Sequence, residues 1–242
     1  MNAIEIKNLT KRYGSVTAVD RLTLSIAEGE HFALLGVNGA GKTTTVKMLS
    51  TLTSPTDGDA YLMGHSIRTE RSAVKRCIGV SPQETAVAPN LSVQENLTLL
   101  CEIHGLRGEA LKRRMQDLVE RFGLQSVLQR KAGKLSGGWQ RRLSIALALV
   151  SEPAILFLDE PTLGLDVIAR AELHSSIQAL KGSTTLILTT HYMEEAEKLC
   201  DRIGIMKDGR LLAVGSARQL KEQTGKDRFE DAFIDIIKGG IS

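Results

Sequence analysis

Apolar positions along the 242-residue chain change their spacing several times, and each change marks a new element. Leu22, Leu24 and Ile26 alternate with polar residues, the period of two expected of half-buried strands, so residues 3 to 35 read as short strands of an antiparallel β flank. His31-Phe32-Ala33-Leu34-Leu35 is a continuously apolar run, and similar runs near 77–80, 155–158 and 185–189 also read as buried strands. Because helical stretches alternate with them, they predict a parallel sheet in an α/β core. From roughly 88 to 150 strand signals vanish and helical spacing takes over, with Ser92 suited to an N-cap and Gly105 and Gly123 to helix stops. Two late strands, near 203–207 and 210–214, flank Asp208-Gly209, a strong hairpin signal. Phe229, Ala232, Phe233, Ile236 and Ile237 then recur at helical spacing and predict an amphipathic C-terminal helix. The expected division is one domain: a core from residues 1–87 and 151–222, a helical subdomain from 88–150 and a terminal helix from 223–242.

Candidate chemistry begins where the apolar run 31–35 meets Gly36-Val37-Asn38-Gly39-Ala40-Gly41-Lys42-Thr43-Thr44, after which Lys42 to Leu52 has helical composition. Strand, glycine loop and helix in this order make a phosphate cradle. Glycines permit tight turns, successive backbone N–H groups point inward, and the helix adds its positive N-terminal end. Lys42 can reach β- and γ-phosphates, and the Thr43 hydroxyl can ligate Mg²⁺. A second acidic element, Ala154 to Pro161, is an apolar strand ending in Asp159-Glu160. Asp159 supplies the oxygen that the Mg²⁺ of a bound triphosphate needs, and Glu160, pointing differently at the strand end, can act as general base toward a water attacking the γ-phosphate.

Between these elements stands Leu135-Ser136-Gly137-Gly138-Trp139-Gln140-Arg141-Arg142, followed by a helical run to Val150. Ser136 and two glycines at a helix start make a second anion site. Cradle, Ser-Gly-Gly signature and Asp-Glu strand, in this order, resemble the nucleotide-binding domain of an ATP-binding cassette (ABC) transporter over about residues 3 to 220. The resemblance implies a P-loop NTPase core with a mixed or parallel central sheet, an N-terminal antiparallel β subdomain and an inserted helical subdomain. It also implies two cassettes, identical or different, arranged head to tail, with each ATP held between one chain's cradle and its partner's Ser136, Gly137 and Gly138. The fifth signature residue, usually Gln in the family, is Trp139, the chain's one tryptophan, which can pack at the helix base or touch nucleotide.

Four further residues match family positions. Tyr13 falls where these ATPases stack an aromatic on adenine, and Gln83 where a flexible glutamine loop joins Mg²⁺ and water to the transmembrane partner. His191, ending an apolar strand, would bond the γ-phosphate and orient the attacking water. Asp166 matches the dimer-contact loop and can also cap the next helix. The 84–104 stretch and the amphipathic tail resemble the multidrug and daunorubicin-resistance type of ABC exporter ATPase. The expectation is therefore an ATPase that needs ATP and Mg²⁺, sits at the cytoplasmic face of a membrane through a permease subunit, and powers export.

Composition narrows the alternatives. With 42% hydrophobic and 24% charged residues the chain can bury a sizeable core. A net charge of +3 and few aromatics beside the basic clusters Lys112-Arg113-Arg114 and Arg141-Arg142 make these clusters solvated helix faces and not nucleic-acid sites. Cys77, Cys101 and Cys200 lack metal-ligand spacing and suit a reducing compartment. No apolar run reaches membrane-spanning length and no charged-then-apolar leader opens the chain, so transport is expected to require another chain. Two other classes are weighed against this reading. A soluble ABC protein acting on ribosomes or chromatin would show tandem cassettes or long insertions, and a hydrolysis-poor nucleotide switch would lack Glu160 or His191.

Overall fold

The structure is a computed structural model and describes residues 1–239. Strands β1 (Asn2–Tyr13) and β2 (Val16–Ala27) form a long antiparallel ribbon, and β3 (His31–Gly36) leads into α1 (Lys42–Leu49). After β4 (Asp57–Leu62) and β5 (His65–Ser66), helix α2 (Arg71–Cys77) runs into β6 (Ile78–Ser81). A helical stretch follows, with α3 (Val93–Ile103), α4 (Gly108–Arg121) and α5 (Gly137–Ala148). The chain then alternates through β7 (Ile155–Asp159), α6 (Val167–Gln178), β8 (Thr185–Thr190), α7 (Met193–Leu199) and β9 (Arg202–Lys207), and closes with β10 (Arg210–Gly215), α8 (Ala217–Thr224) and α9 (Phe229–Lys238).

Among the described residues, ten strands divide into two sheets. Six form the order β10-β9-β3-β8-β7-β6, in which β9, β3, β8, β7 and β6 run parallel and β10 returns antiparallel beside β9. Every residue of β3, β7 and β8 is buried, which is why these strands read as unbroken apolar runs: helices and the second sheet cover both faces. The second sheet, order β2-β1-β4-β5, is antiparallel. Its inward residues Ile4, Ile6, Leu9, Leu22 and Ile26 pack with Phe32, Val46 and Phe157 in one core. A second core joins α3, α4 and α5 to the opposite face of β7 and β8, and a third seats Phe229, Phe233 and Ile236 of α9 against Ala33, Leu35, Ile203 and Ile205.

Several local expectations need correction. The β flank consists of two twelve-residue strands and not several short ones, with Gly14 turning between them at φ +56°. Helix α1 stops at Leu49, and the strand expected from residue 77 begins at Ile78 because α2 continues through Cys77. Strands β4 and β5 lacked an apolar pattern. Asp57 and Asp59 interrupt β4, and only Ala60 and Leu62 of it are buried, against β1. The expected terminal helix is present as α9, and residues 240–242 lie outside the described residues.

Helix signals in the 88–150 stretch match their expected chemistry. Ser92 caps α3 in a reciprocal box: its hydroxyl accepts from the Glu95 N–H at 3.1 Å while Glu95 accepts from the Ser92 N–H at 2.7 Å. Gly105 and Gly123 follow α3 and α4 in left-handed conformation, at φ +83° and +62°. Gly79 of β6 lies so close to the Ala148 carbonyl that no Cβ fits, which brings the end of α5 directly onto the sheet edge.

Sheet register decides which loops share an edge. Leu35 pairs with Thr190 across β3 and β8, and Asp159 pairs with Thr189 across β7 and β8. The chain leaves all three strands at one level, so the segments after Gly36, Asp159 and Thr190 converge at the carboxyl ends of the parallel strands.

Candidate nucleotide site

The loop after β3 turns through Gly39 and Gly41 at φ +82° and +101°, a conformation that disfavours any side chain. Gly41 is constrained twice, because a Cβ there would lie 2.5 Å from the Ala18 carbonyl of β2. The β9–β10 hairpin braces the loop from outside. Asp208 and Gly209 both have positive φ, as their sequence foretold, and the Gly209 N–H donates to the Ala40 carbonyl at 3.1 Å while its own carbonyl accepts from Asp20 at 2.9 Å. The predicted hairpin is thus part of the site.

Lys42, 5% exposed, folds back into the loop, its ammonium donating to the carbonyls of Gly36 at 2.7 Å and Val37 at 3.2 Å. Glu160 Oε1 lies 3.9 Å from Lys42 Nζ. Burial pulls the Lys42 pKa below the usual lysine range, and the nearby Glu160 and Asp159 carboxylates work in the opposite direction. An arriving phosphate can replace the carbonyls as partner to this cation.

The Asp159-Glu160 pair splits as expected. Asp159, buried at the end of β7, accepts from Thr43 Oγ1 at 3.2 Å and from the Thr189 hydroxyl. Glu160 adopts φ +47°, and its N–H donates to the carbonyl and hydroxyl of Thr189 at 3.0 and 3.1 Å. That left-handed turn sends its carboxylate away from Asp159, to 3.3 Å between Oε1 and His191 Nδ1. Thr189 therefore orients both acids, and sequence reasoning missed it: a threonine inside an apolar run reads as an ordinary β-former.

A cleft of about 470 Å³ is lined by residues 38–44, and Gln83, Glu160, Leu163 and His191 face the same space. A larger groove of about 930 Å³ lies between β2, the β9–β10 hairpin and α9 and shares none of these residues. Tyr13 does not line the smaller cleft. It stands 50% exposed at the end of β1, with the Lys11 ammonium 4.9 Å from its ring centroid. Asp166 caps α6 through Oδ1, which accepts from the Ala169 N–H at 2.9 Å.

Ser136 and Gly137 are exposed at the start of α5 and are not part of the cleft. Ser136 occupies the N-cap position yet makes no capping bond with its side chain, which leaves the first N–H groups of α5 without that side-chain acceptor. Gly138 packs against Ala169 with room for no Cβ. Trp139 is half-buried against the helical core with the Arg142 guanidinium 4.8 Å from its ring, which is the helix-base packing of its two readings.

Arg141 and Arg142 do not form a solvated face. Both are buried, 4% and 8% exposed. Arg142 also pairs with Glu172 of α6, and Arg141 donates to the carbonyls of Pro82 and Gln83, which ties α5 to the glutamine loop. Tertiary carbonyls bury this charge, a signal absent from the local sequence.

Comparison with known proteins agrees with this geometry. The family model described as ABC transporter matches residues 19–163, more than half of the chain. The daunorubicin resistance ATP-binding protein DrrA3 of Streptomyces coeruleorubidus is 43% identical over 229 residues, 94% of this chain and 72% of that protein. The probable multidrug ABC transporter ATP-binding protein YbhF of Escherichia coli is 40% identical over 241 residues, 97% of this chain and 41% of that longer protein. Among solved structures, an ATP-binding subunit of an ABC transporter superposes with a TM-score of 0.86 at 28% identity, covering 97% of this chain and 99% of its own. The dimeric, post-hydrolysis cassette MJ0796 bound to ADP and Pi superposes with a TM-score of 0.79 at 28% identity over 88% of this chain and 98% of its own. The chain belongs to the ABC transporter family, and it is an ATP-binding, ATP-hydrolysing cassette.

Proposed function

We propose that this cassette works in pairs to drive an export permease from the cytoplasmic face of a membrane. The observation that carries the reading is the convergence of Lys42, Glu160 and His191 in one cleft beside the Thr43–Asp159 pair. The backbone of residues 38–44 and the Lys42 ammonium bind the β- and γ-phosphates, and Tyr13, which lies outside the cleft lining, stacks on adenine. Glu160 Oε1 accepts the proton of the attacking water, and His191 bonds both Glu160 and the γ-phosphate, so that base and phosphate stay aligned.

The donor set fits Mg²⁺: a hydroxyl and a carboxylate already 3.2 Å apart, with the Gln83 amide facing the same cleft, offer only hard oxygens. Thr43, Asp159 and Gln83 would hold the ion, which when bound supplies charge neutralisation on the β- and γ-phosphate oxygens. The exposed Ser136 and Gly137, with Gly138 behind them, serve the γ-phosphate of the partner cassette, whose Asp166 loop meets this one.

Among the described residues no helix is long and apolar enough to cross a membrane. The permease contact is assigned to residues 83–104, where Gln83 and Glu84 are exposed and Leu99 and Ile103 of α3 are 41% and 68% exposed. Arg141 links this stretch to α5, so the three helices can rotate as a subdomain when the glutamine loop moves. Relatives named for daunorubicin and multidrug resistance favour export.

Cysteines at Glu84, Leu99 and Ile103 are expected to crosslink to the copurifying permease, and Glu84→Lys to lower transport while leaving basal ATPase within about twofold. Glu95 is unsuitable for charge reversal because its carboxylate closes the α3 capping box. Crosslinks formed only through α9, or basal ATPase lost with transport, would refute this docking surface.

A further inference from the structure

His191 does not end β8 unsupported. Its ring lies against Tyr192, centroids 4.1 Å apart and planes at 42°, and the Arg170 guanidinium lies 4.8 Å from the Tyr192 centroid. Arg170 Nε is buried and finds no acceptor among the described residues, which leaves the aromatic face as the defined partner of this cation there. Tyr192 is also fixed through its N–H, which donates to Thr190 Oγ1 at 3.0 Å.

A second link joins the same two helices. Four residues along α6 from Arg170, His174 Nε2 lies 3.3 Å from Oε1 of Glu195, which is three residues along α7 from Tyr192. Both partners are buried, 5% and 2% exposed. Two successive polar contacts, Arg170–Tyr192 and His174–Glu195, thus hold α6 and α7 in register. The start of α6 in turn belongs to the surface proposed above to meet the partner cassette: Asp166 caps it, the Arg170 N–H donates to the Asp166 carbonyl at 3.0 Å, and neighbouring Ala169 packs on Gly138 of the signature helix.

We propose that Arg170, acting through Tyr192, is a positioning residue for His191: it holds the imidazole against Glu160 and makes that geometry depend on where the Asp166 loop and the signature helix sit. This builds on the γ-phosphate role proposed above for His191. When a partner cassette closes on the Asp166 loop, a shift of the first turn of α6 reaches the imidazole through one cation and one ring, so that hydrolysis responds to dimer closure inside a single chain.

The test is a double-mutant cycle on the full chain. Arg170→Met keeps the aliphatic stem and removes the cation, and it is expected to lower kcat for ATP hydrolysis about tenfold while KM for ATP, nucleotide affinity and melting temperature stay close to wild type. Tyr192→Ala should have a similar effect, whereas Tyr192→Phe, which retains the ring, should stay within about twofold of wild type. In a His191→Ala background, Arg170→Met should change kcat by less than about twofold, because its target is gone. An undiminished effect in that background, unchanged kcat in the single variant, or a loss explained by a matching fall in melting temperature would overturn the positioning role. If His191→Ala itself leaves kcat intact, the role of His191 in the proposed function falls first and this inference falls with it.

Discussion

Glu160→Gln lowers ATP hydrolysis by at least about a hundredfold while ATP binding persists. Everything that aims this side chain lies in the backbone and in its neighbours, so the substitution spares the geometry. The φ of +47° and the two N–H bonds to Thr189 do not involve the carboxylate, and the amide oxygen of Gln can keep the 3.3 Å contact to His191. What disappears is the basic oxygen that takes a proton from water. Cation and loop remain, since Lys42 is held chiefly by the Gly36 and Val37 carbonyls. Phosphate release and nucleotide titration on the same preparation check the split, and near-normal turnover would remove Glu160 from the role of base.

With hydrolysis blocked, the second large effect concerns assembly. The Glu160→Gln chain is expected to become a symmetric dimer on adding ATP, and Ser136→Arg to abolish that dimer while monomer nucleotide binding stays nearly intact. The reason is the separation of the two proposed phosphate surfaces within one chain: Ser136 and Gly137 are exposed at the start of α5 and contribute nothing to the cleft that holds Lys42 and Glu160. An arginine at position 136 puts a long side chain where the partner's nucleotide would sit, yet leaves its own cradle untouched. Light scattering distinguishes monomer from dimer. A dimer that forms without ATP, or that ignores Ser136→Arg, contradicts a site shared between chains.

Legibility in the sequence followed burial pattern and spacing. Strands β3, β7 and β8 were readable because both their faces are covered, and the glycine loop because its backbone conformations demand glycine at positions 39 and 41. Strand β4 was not readable, since it pairs at the outer side of β1 and carries Asp57 and Asp59. The buried Arg141 was read as solvated because the carbonyls that satisfy it lie 58 and 59 residues away. Thr189, whose hydroxyl orients both acids, looks like any strand former, and the Arg170–Tyr192 contact spans two helices that carry no shared motif. Residues whose local conformation is special announce themselves, whereas residues whose partners are remote do not.

The most direct test of the shared site is complementation between two defective chains. Lys42→Ala removes the cation of the cradle, and Ser136→Arg blocks the signature, so each variant alone should hydrolyse ATP at a small fraction of the wild-type rate. In an equimolar mixture, a mixed dimer pairs the intact cradle of one chain with the intact signature of the other, and ATPase should rise several-fold above the sum of the two variants measured alone. No recovery in the mixture, or wild-type turnover by the Ser136→Arg chain alone, would show that the ATP site is completed within a single cassette.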